Sequence, residues 1–408
     1  MSTPRSKYNV LISGAGPSGI VLAWWLSHHG IRSTILERSP HLRAAGQSLD
    51  LRKDSLDIVG KMGLREAFLA QKTNEAGLVF VDEKNKTFAK VPMDAPVSLT
   101  QDIEVLRGDM VEIWYNAVKD DAKIDFMFSD RVAAVKQDAA GLEVTLKSGK
   151  VLTEFDMLVV AEGMTSQTRS LVFDDPAPVK GLGHCFAFFT IPWQPQDADW
   201  AKFYSTAGRQ VLLRPHAPSG TAAHLGMALD DGQEVLKLDV NGQKQLLHQF
   251  FASVGWETPR VLAAMDNATD FYMSETAQVK CEQWHKNRVV LLGDAAHCSS
   301  PISGVGVTLS VVGAYILAGE LAANQSMEEA FQKYESKMRP RVDEAQALAP
   351  GVPGLVCPRS SWGIKVFRAV VRVLLAKPVL KVLTKSASLL SPEKKADDLP
   401  IYSQAVAA

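Results

Sequence analysis

Gly14-Ala15-Gly16-Pro17-Ser18-Gly19 follows a short apolar run, Asn9 to Ser13, and opens an apolar helical pattern through Ile20, Val21, Ala23, Trp24 and Leu26. Glycines in such a turn let the backbone bend tightly and approach a pyrophosphate, whose charge then rests at the positive end of the following helix. An acidic residue, Glu37, stands 18 positions after Gly19 and closes a second β-rich run, Ser33 to Leu36. A carboxylate there accepts hydrogen bonds from adenosine ribose hydroxyls and repels a 2′-phosphate, so the firmly held dinucleotide is FAD or NAD rather than NADP. A glycine turn that binds nothing is the competing reading, and the strand, turn, helix and acid in sequence argue against it.

A second cluster separates FAD from NAD. Gly293-Asp294-Ala295-Ala296-His297 follows the apolar run Arg288 to Leu292, and Pro301-Ile302-Ser303-Gly304-Val305-Gly306 opens another helix. This is a second anion-friendly helix N-terminus, far from the first in sequence. FAD requires such a support because its ribityl chain and isoalloxazine ring extend beyond the pyrophosphate, whereas a nicotinamide enzyme does not need both. Asp294 accepts from ribityl hydroxyls, and backbone N–H groups at Gly304 to Gly306 stabilise negative charge on a reduced ring. The plainer alternative makes Asp294 a strand-end or N-cap residue only.

The first cluster needs a βαβ unit to present it, and the alternation of strand, glycine turn, helix and strand up to Arg38 supplies one. The pattern then predicts a helix from about Asp54 to Ala70, a hairpin over Leu78 to Met93 and a helix from Arg107 to Val118. Strands follow at Asp125 to Val135 and Leu142 to Leu146, with a turn at Ser148-Gly149, and a buried strand at Met157 to Ala161. From about Gly181 to Phe271 short β-type runs, including Cys185 to Ile191, Gln210 to Leu213 and Ala222 to Leu229, are punctuated by Pro and Gly. That texture predicts a second, mostly antiparallel domain. The first domain resumes at Arg288 to Leu292 and a helix from Val307 to Ala323. The expected class is α/β: a discontinuous Rossmann-like FAD-binding domain over 1–77, 101–180 and 272–345, an inserted β-sheet substrate domain over 78–100 and 181–271, and a C-terminal helical segment over 346–408.

Composition narrows the partners. The 408 residues carry 44 basic and 45 acidic side chains, a formal charge of -1, so the broad positive field of a nucleic-acid binder is missing. Cys185, Cys281, Cys298 and Cys357 lie far apart with no C-x-x-C pair and no histidine at ligand spacing, so neither a disulfide framework nor a metal site is expected. The polar lead MSTPRSK runs straight into an apolar strand without the form of a signal peptide, and no run of about 18 uncharged apolar residues occurs. A cytoplasmic protein without a spanning helix is expected. The balance is uneven only late: Trp362 to Leu390 holds Lys365, Arg368, Arg372, Lys377, Lys381 and Lys385 and no acid, interrupted at Pro378. Two amphipathic helices are predicted there, either lying on an anionic membrane surface or, the favoured reading, packed on protein to bridge the two domains.

GAGPSG with LER, LVVAEGMTSQTR at Leu158 to Arg169 and VVLLGDAAHCSSPISGVG at Val289 to Gly306 together resemble the three motifs of the single-component flavoprotein monooxygenases typified by para-hydroxybenzoate hydroxylase, over residues 8–345. GQSLDLR at Gly46 to Arg52, EVLRGDM at Glu104 to Met110 and AAHLGMAL at Ala222 to Leu229 are similar to segments of the tetracycline-inactivating members. The resemblance implies that Gly14, Gly16, Gly19, Glu37 and Arg38 contact the AMP half of FAD, Arg107 the flavin, and Asp294, Gly304 and Gly306 the ribityl and ring end. It implies that Arg43 lies near the flavin and meets the nicotinamide of NADPH or NADH; a solvated loop arginine is the alternative. The middle motif departs from the family's Asp-Gly, with Glu162-Gly163 in its place.

For substrate, Arg209 and His224 match polar positions of the tetracycline-inactivating group, and Phe188 stands where that group has Gln. A related pocket with a more apolar wall and a different substrate follows. A structural strand histidine is the alternative for His224, and packing within the sheet the alternative for at least one of Phe186, Phe188 and Phe189. The implied activity is hydroxylation of a phenolic, enolic or polycyclic small molecule by NAD(P)H and O2 through a flavin hydroperoxide, the kind of step found in secondary metabolism. A same-fold oxidase or epoxidase and a non-catalytic flavin-binding redox responder are the alternatives. The W-x-W-x-I-P pattern of halogenases is not matched by Pro192-Trp193-Gln194.

Overall fold

The computed structural model describes residues 7–42, 48–73, 75–93, 95, 103–138, 141–173, 179–216, 220–230, 232–348, 351–376 and 399–402. Its centre is a six-stranded sheet ordered His285–Lys286, Val289–Leu291, Met157–Val160, Asn9–Ser13, Arg32–Glu37, Ile124–Phe128. All neighbours are parallel except the first pair. Strands of such a sheet are covered on both faces, and Val10, Leu11, Ile12 and Met157 to Val160 are accordingly apolar without alternation and fully buried. The glycine-turn helix Pro17–His28 packs on the helix Gly306–Ala323, where Trp25 meets Tyr315 edge to face at 4.7 Å. That second helix is apolar enough to cross a membrane, with mean hydropathy 1.6, but it is buried along most of its length inside this domain.

A seven-stranded sheet forms the other layer, ordered Tyr272–Val279, Val179–Ile191, Gly220–Ala228, Arg209–His216, Ala201–Thr206, Gly77–Val81, Thr87–Pro92. It is antiparallel apart from the pairing of Ala201–Thr206 with Gly77–Val81. Several expectations need correction here. The strand Tyr272–Val279, assigned above to the first domain, is an edge of this sheet, because its backbone pairs with Val179–Ile191. The insert also contains helices, Val240–Phe251 and Thr258–Met265, whose Leu247, Phe251, Val261 and Met265 cover one sheet face against Val211, Leu213, Leu225 and Met227. A further helix, Met327–Gln346, backs Gly306–Ala323 and was not anticipated. The helix expected over Asp54 to Ala70 is two pieces, Lys53–Lys61 and Arg65–Ala70, broken where Gly63 takes φ +72°.

A two-stranded ladder, Ser48–Asp50 with Glu104–Leu106, lies where the two layers meet. The helix Ser361–Leu374 buries Ile364 and Phe367, and Phe367 packs on Phe80 and Phe203 at the outer end of the large sheet. The chain is described again at Leu399–Tyr402, where Tyr402 packs on Gly319 and Tyr315 of the helix Gly306–Ala323 and donates to Glu320 Oε1 at 2.6 Å. The remainder of the basic stretch, residues 377–390, lies outside the described residues.

Candidate active site

The glycines of the first motif do different work. A Cβ on Gly14, which has φ +114°, would run into the Ala161 carbonyl, and one on Gly19 would run into the Gly14 carbonyl. Both are therefore demanded by the protein's own packing. Gly16 is different: a Cβ there would meet nothing within 4 Å. The room left there suits close approach by a pyrophosphate. Gly306 likewise faces open space, at the first turn of its helix, and Gly304 is left-handed at φ +63° with the Arg52 guanidinium beside it.

The motifs meet physically although they are distant in sequence. Gly293, at φ +63°, is pressed against Ser18 so that only glycine fits. Glu37 accepts from the Ala15 amide at 3.0 Å and the Ser39 amide at 2.9 Å, which holds its carboxylate at the mouth of the glycine turn, while Arg38 beyond it is exposed. Asp294 lies within electrostatic reach of Arg107, the first residue of the helix Arg107–Asn116; burial raises its carboxyl above the usual aspartate range and Arg107 opposes the rise. These contacts bring the glycine turn, the Gly293-Asp294 segment and the start of the helix Arg107–Asn116 together. Arg43 lies outside the described residues.

Glu162 is saturated. Its carboxylate accepts from Ser13 Oγ at 2.6 Å, Ser166 Oγ at 2.6 Å, the Thr168 amide at 3.1 Å and the Thr168 hydroxyl. A carboxylate offers about four lone-pair sites, so this side chain is a structural knot between the first strand and the helix Gln167–Val172. Arg169, buried, ties the same segment to the third motif by donating to Met164 O at 3.0 Å and Ala295 O at 2.9 Å.

Across the crevice, register sorts the candidate substrate residues. Phe188 faces His224 and Tyr272 across the sheet, with the His224 ring edge-on to Phe188 at 4.9 Å and Tyr272 stacked at 6.3 Å. Phe186 stacks with Phe188 at 6.1 Å, while Phe189, one residue on, points into the helix-covered core. Burial, with Arg214 and His216 nearby, lowers His224 to about 3, so it is neutral at physiological pH, and its Nε2 is buried without a hydrogen-bond partner. Arg209 does not join this group. It pairs with Met227 on the opposite face, donates to the Phe250 carbonyl and stacks on the Phe250 ring at 5.0 Å. Leu212 is the residue opposite His224, so Arg214, two positions on, is the arginine that shares its face.

Arg214 is the centre of a cluster that sequence reading missed. It grips Glu75 with two bonds of 2.9 and 2.8 Å and also donates to Glu104, which is only 2% exposed. Asp50 is the cross-strand partner of Glu104 in the small ladder. Three carboxylates crowd this space, so burial pushes the Glu104 carboxyl up to about 8 and raises Asp50, while Arg214 keeps its charge more firmly than a free guanidinium. The signal was the alternation in Arg209–His216: Val211 and Leu213 go to the core, leaving Gln210, Arg214 and His216 together on the other face.

A parallel sheet that carries the glycine turn and the Gly293-Asp294 segment, joined to a large antiparallel sheet, is the architecture of a flavoprotein oxidoreductase. The family model for FAD binding domains matches residues 7–349. The chain is 33% identical to the FAD-dependent monooxygenase asL6 of Sarocladium schorii, over 96% of this chain and 97% of the relative. It is 33% identical to the monooxygenase CTB7 of Cercospora beticola, covering 90% and 92%. The crystal structure of the tetracycline destructase Tet(51) superposes with TM-score 0.79 at 28% identity, covering 97% of this chain and all of that one. The chain belongs to the FAD-dependent monooxygenase family, and FAD is its cofactor.

Proposed function

We propose that the protein takes hydride from NADPH or NADH and uses O2 to place one oxygen atom on an electron-rich carbon of a planar phenolic, enolic or polycyclic molecule, the second oxygen leaving as water. Bound FAD supplies the redox chemistry, accepting the hydride and activating O2. The chain's residues bind and orient. Gly16 and the helix Pro17–His28 receive the pyrophosphate, Glu37 and Arg38 the adenosine side, Asp294 and Arg107 the ribityl and flavin side, and the amides around Gly304 and Gly306 the ring. Phe186, Phe188 and Tyr272 form the wall on which a flat substrate lies, with neutral His224 available to a hydroxyl.

The observation that carries the substrate class is this aromatic row, set beside an arginine already committed to two carboxylates. An apolar, ring-stacking wall whose neighbouring Arg214 is already paired with carboxylates favours a planar, uncharged molecule over a small carboxylate. The segment also differs from the tetracycline-inactivating pattern at Phe188, which supports a substrate other than tetracycline. A cytoplasmic setting, with FAD and reduced nicotinamide nucleotides at hand, suits four buried thiols. Mass spectrometry of a panel of polycyclic phenols incubated with enzyme, FAD and NADPH tests the reading. A product heavier by one oxygen, with NADPH consumption that quickens on adding substrate, is expected; flavin-loaded protein that oxidises no member of the panel would sink it.

A further inference from the structure

The helix Ser361–Leu374 carries two apolar stripes, and the protein buries one of them. Ile364, Phe367 and Val371 recur at i, i+3 and i+7. Ile364 and Phe367 are buried, and Phe367 and Val371 join Phe80, Val91 and Phe203 in one apolar cluster at the outer end of the large sheet. Trp362, Val366, Ala369 and Val373, at i, i+4, i+7 and i+11, form the second stripe, which the 3.6-residue period sets on the opposite side of the helix. Trp362 is 74% exposed, Val373 59% and Leu374, beside it, 45%. The outward side of a helix that packs only on its own domain is ordinarily polar; this one is apolar along its length.

A cationic seam flanks the outward stripe. Lys365, Arg368 and Arg372 recur at i, i+3 and i+7, and Lys365 and Arg372 are exposed. The two arginines are held by a carbonyl and a ring rather than by a carboxylate: Arg368 donates to Ser205 O at 3.2 Å and lies over the Phe88 ring at 5.7 Å, and Arg372 lies over the same ring at 5.1 Å. The sign persists along the chain, because Lys377, Lys381 and Lys385 follow and no acid occurs from Ser361 to Leu390, in a protein whose total charge is -1. A second copy of the chain fits this face poorly, since a two-fold contact presents a patch to itself and would set the same cations against one another. An anionic surface complements it. Tryptophan favours the boundary between headgroups and acyl chains, and lysine and arginine beside it meet lipid phosphates.

We propose that the outward face of this helix docks the protein on an anionic phospholipid bilayer, with Trp362 and Val373 entering the interface and Lys365 and Arg372 meeting the headgroups. Vesicle flotation of the FAD-loaded full chain tests it and needs no turnover, so the outcome is independent of the substrate reading. Wild type should bind vesicles of phosphatidylcholine containing about one-third phosphatidylglycerol at least tenfold more tightly than pure phosphatidylcholine, and about 0.5 M NaCl should remove most of that preference. The pairs Trp362→Ser, Val373→Ser and Lys365→Ser, Arg372→Ser should each weaken binding tenfold or more, with FAD content and melting temperature unchanged; Trp362→Ser alone or Lys365→Ser alone replaces a pair that melts early. Wild type that does not float with the anionic vesicles overturns the proposal. So does an apolar pair that floats as wild type does, and a loss of self-association in that pair, read by light scattering, would then assign the face to a second copy.

Discussion

On the cofactor side, the groups proposed to meet FAD are largely backbone: a glycine turn, the amides around Gly304 and Gly306, and beside them Asp294 and Arg107. On the proposed substrate side they are side chains of a sheet and its neighbours: Phe186, Phe188, Tyr272, His224 and the Arg214 cluster. Backbone sites depend on φ and on the room a Cβ would take, so their residue types are constrained one by one. Sheet-borne sites keep their scaffold while the side chains change, which is how one fold serves many substrates.

Substitutions can press that contrast from both sides, beginning with the largest effect. Arg214→Met leaves Glu75, Glu104 and Asp50 buried without their cation and should cost about 3–5 kcal/mol of stability in urea unfolding, since an uncompensated buried charge is the penalty. Adding Glu75→Gln and Glu104→Gln should recover most of it; a loss below about 1 kcal/mol for Arg214→Met alone would mean the cluster is solvated. On the backbone side, Gly14→Ala should cost on the order of 3 kcal/mol from its positive φ and its clash with Ala161. Gly16→Ala should leave the melting temperature of FAD-free protein nearly unchanged and weaken FAD binding about tenfold, roughly 1.4 kcal/mol. Equal behaviour of the two glycines in both assays would erase the distinction drawn between them.

Glu162→Ala strands the Ser13, Ser166 and Thr168 donors and should cost about 2 kcal/mol, while the KM for NADPH barely moves. A large KM change at unaltered stability would instead give Glu162 a part in nucleotide binding. The pH response is subtler. Glu104 has its carboxyl raised from an ordinary 4.5 to about 8 in the folded protein, so the folded state binds the extra proton. Its contribution to stability is complete below pH 4.5 and is lost as pH rises through about 8. Glu104→Gln should flatten that decline between pH 5 and 8 in denaturation curves; an undiminished slope would place the proton elsewhere. Smallest of all, His224→Ala should raise the substrate KM about tenfold, and Arg209→Ala, on the covered face, less than twofold.

How much of this the sequence disclosed follows the same division. The glycine turn, Glu37 and Gly293-Asp294 were legible because backbone geometry admits few residues at those positions. Arg209 was misplaced because a strand's facing depends on parity, and one residue of register moves a side chain to the other face. Glu75 and Glu104 carry no local pattern; only folding brings them to Arg214. The helices Val240–Phe251 and Thr258–Met265 were hidden by Gly242 and Pro259, which read as loop punctuation although Pro259 sits in the first turn, where a missing N–H costs little. The edge strand Tyr272–Val279 could not be allotted by composition, since its partner lies across the insert.

The contact between Gly293 and Ser18 also bears on biosynthesis. One half of the proposed FAD cradle leaves the ribosome almost at once, but the other ends at Gly306, three quarters of the way along 408 residues. The strand Met157–Val160 must therefore wait, with one edge unpaired, until Val289–Leu291 emerges after the insert. Flavin capture is then an event of the nearly finished polypeptide, and cells short of FAD would accumulate a folded, colourless precursor that turns yellow when the vitamin returns.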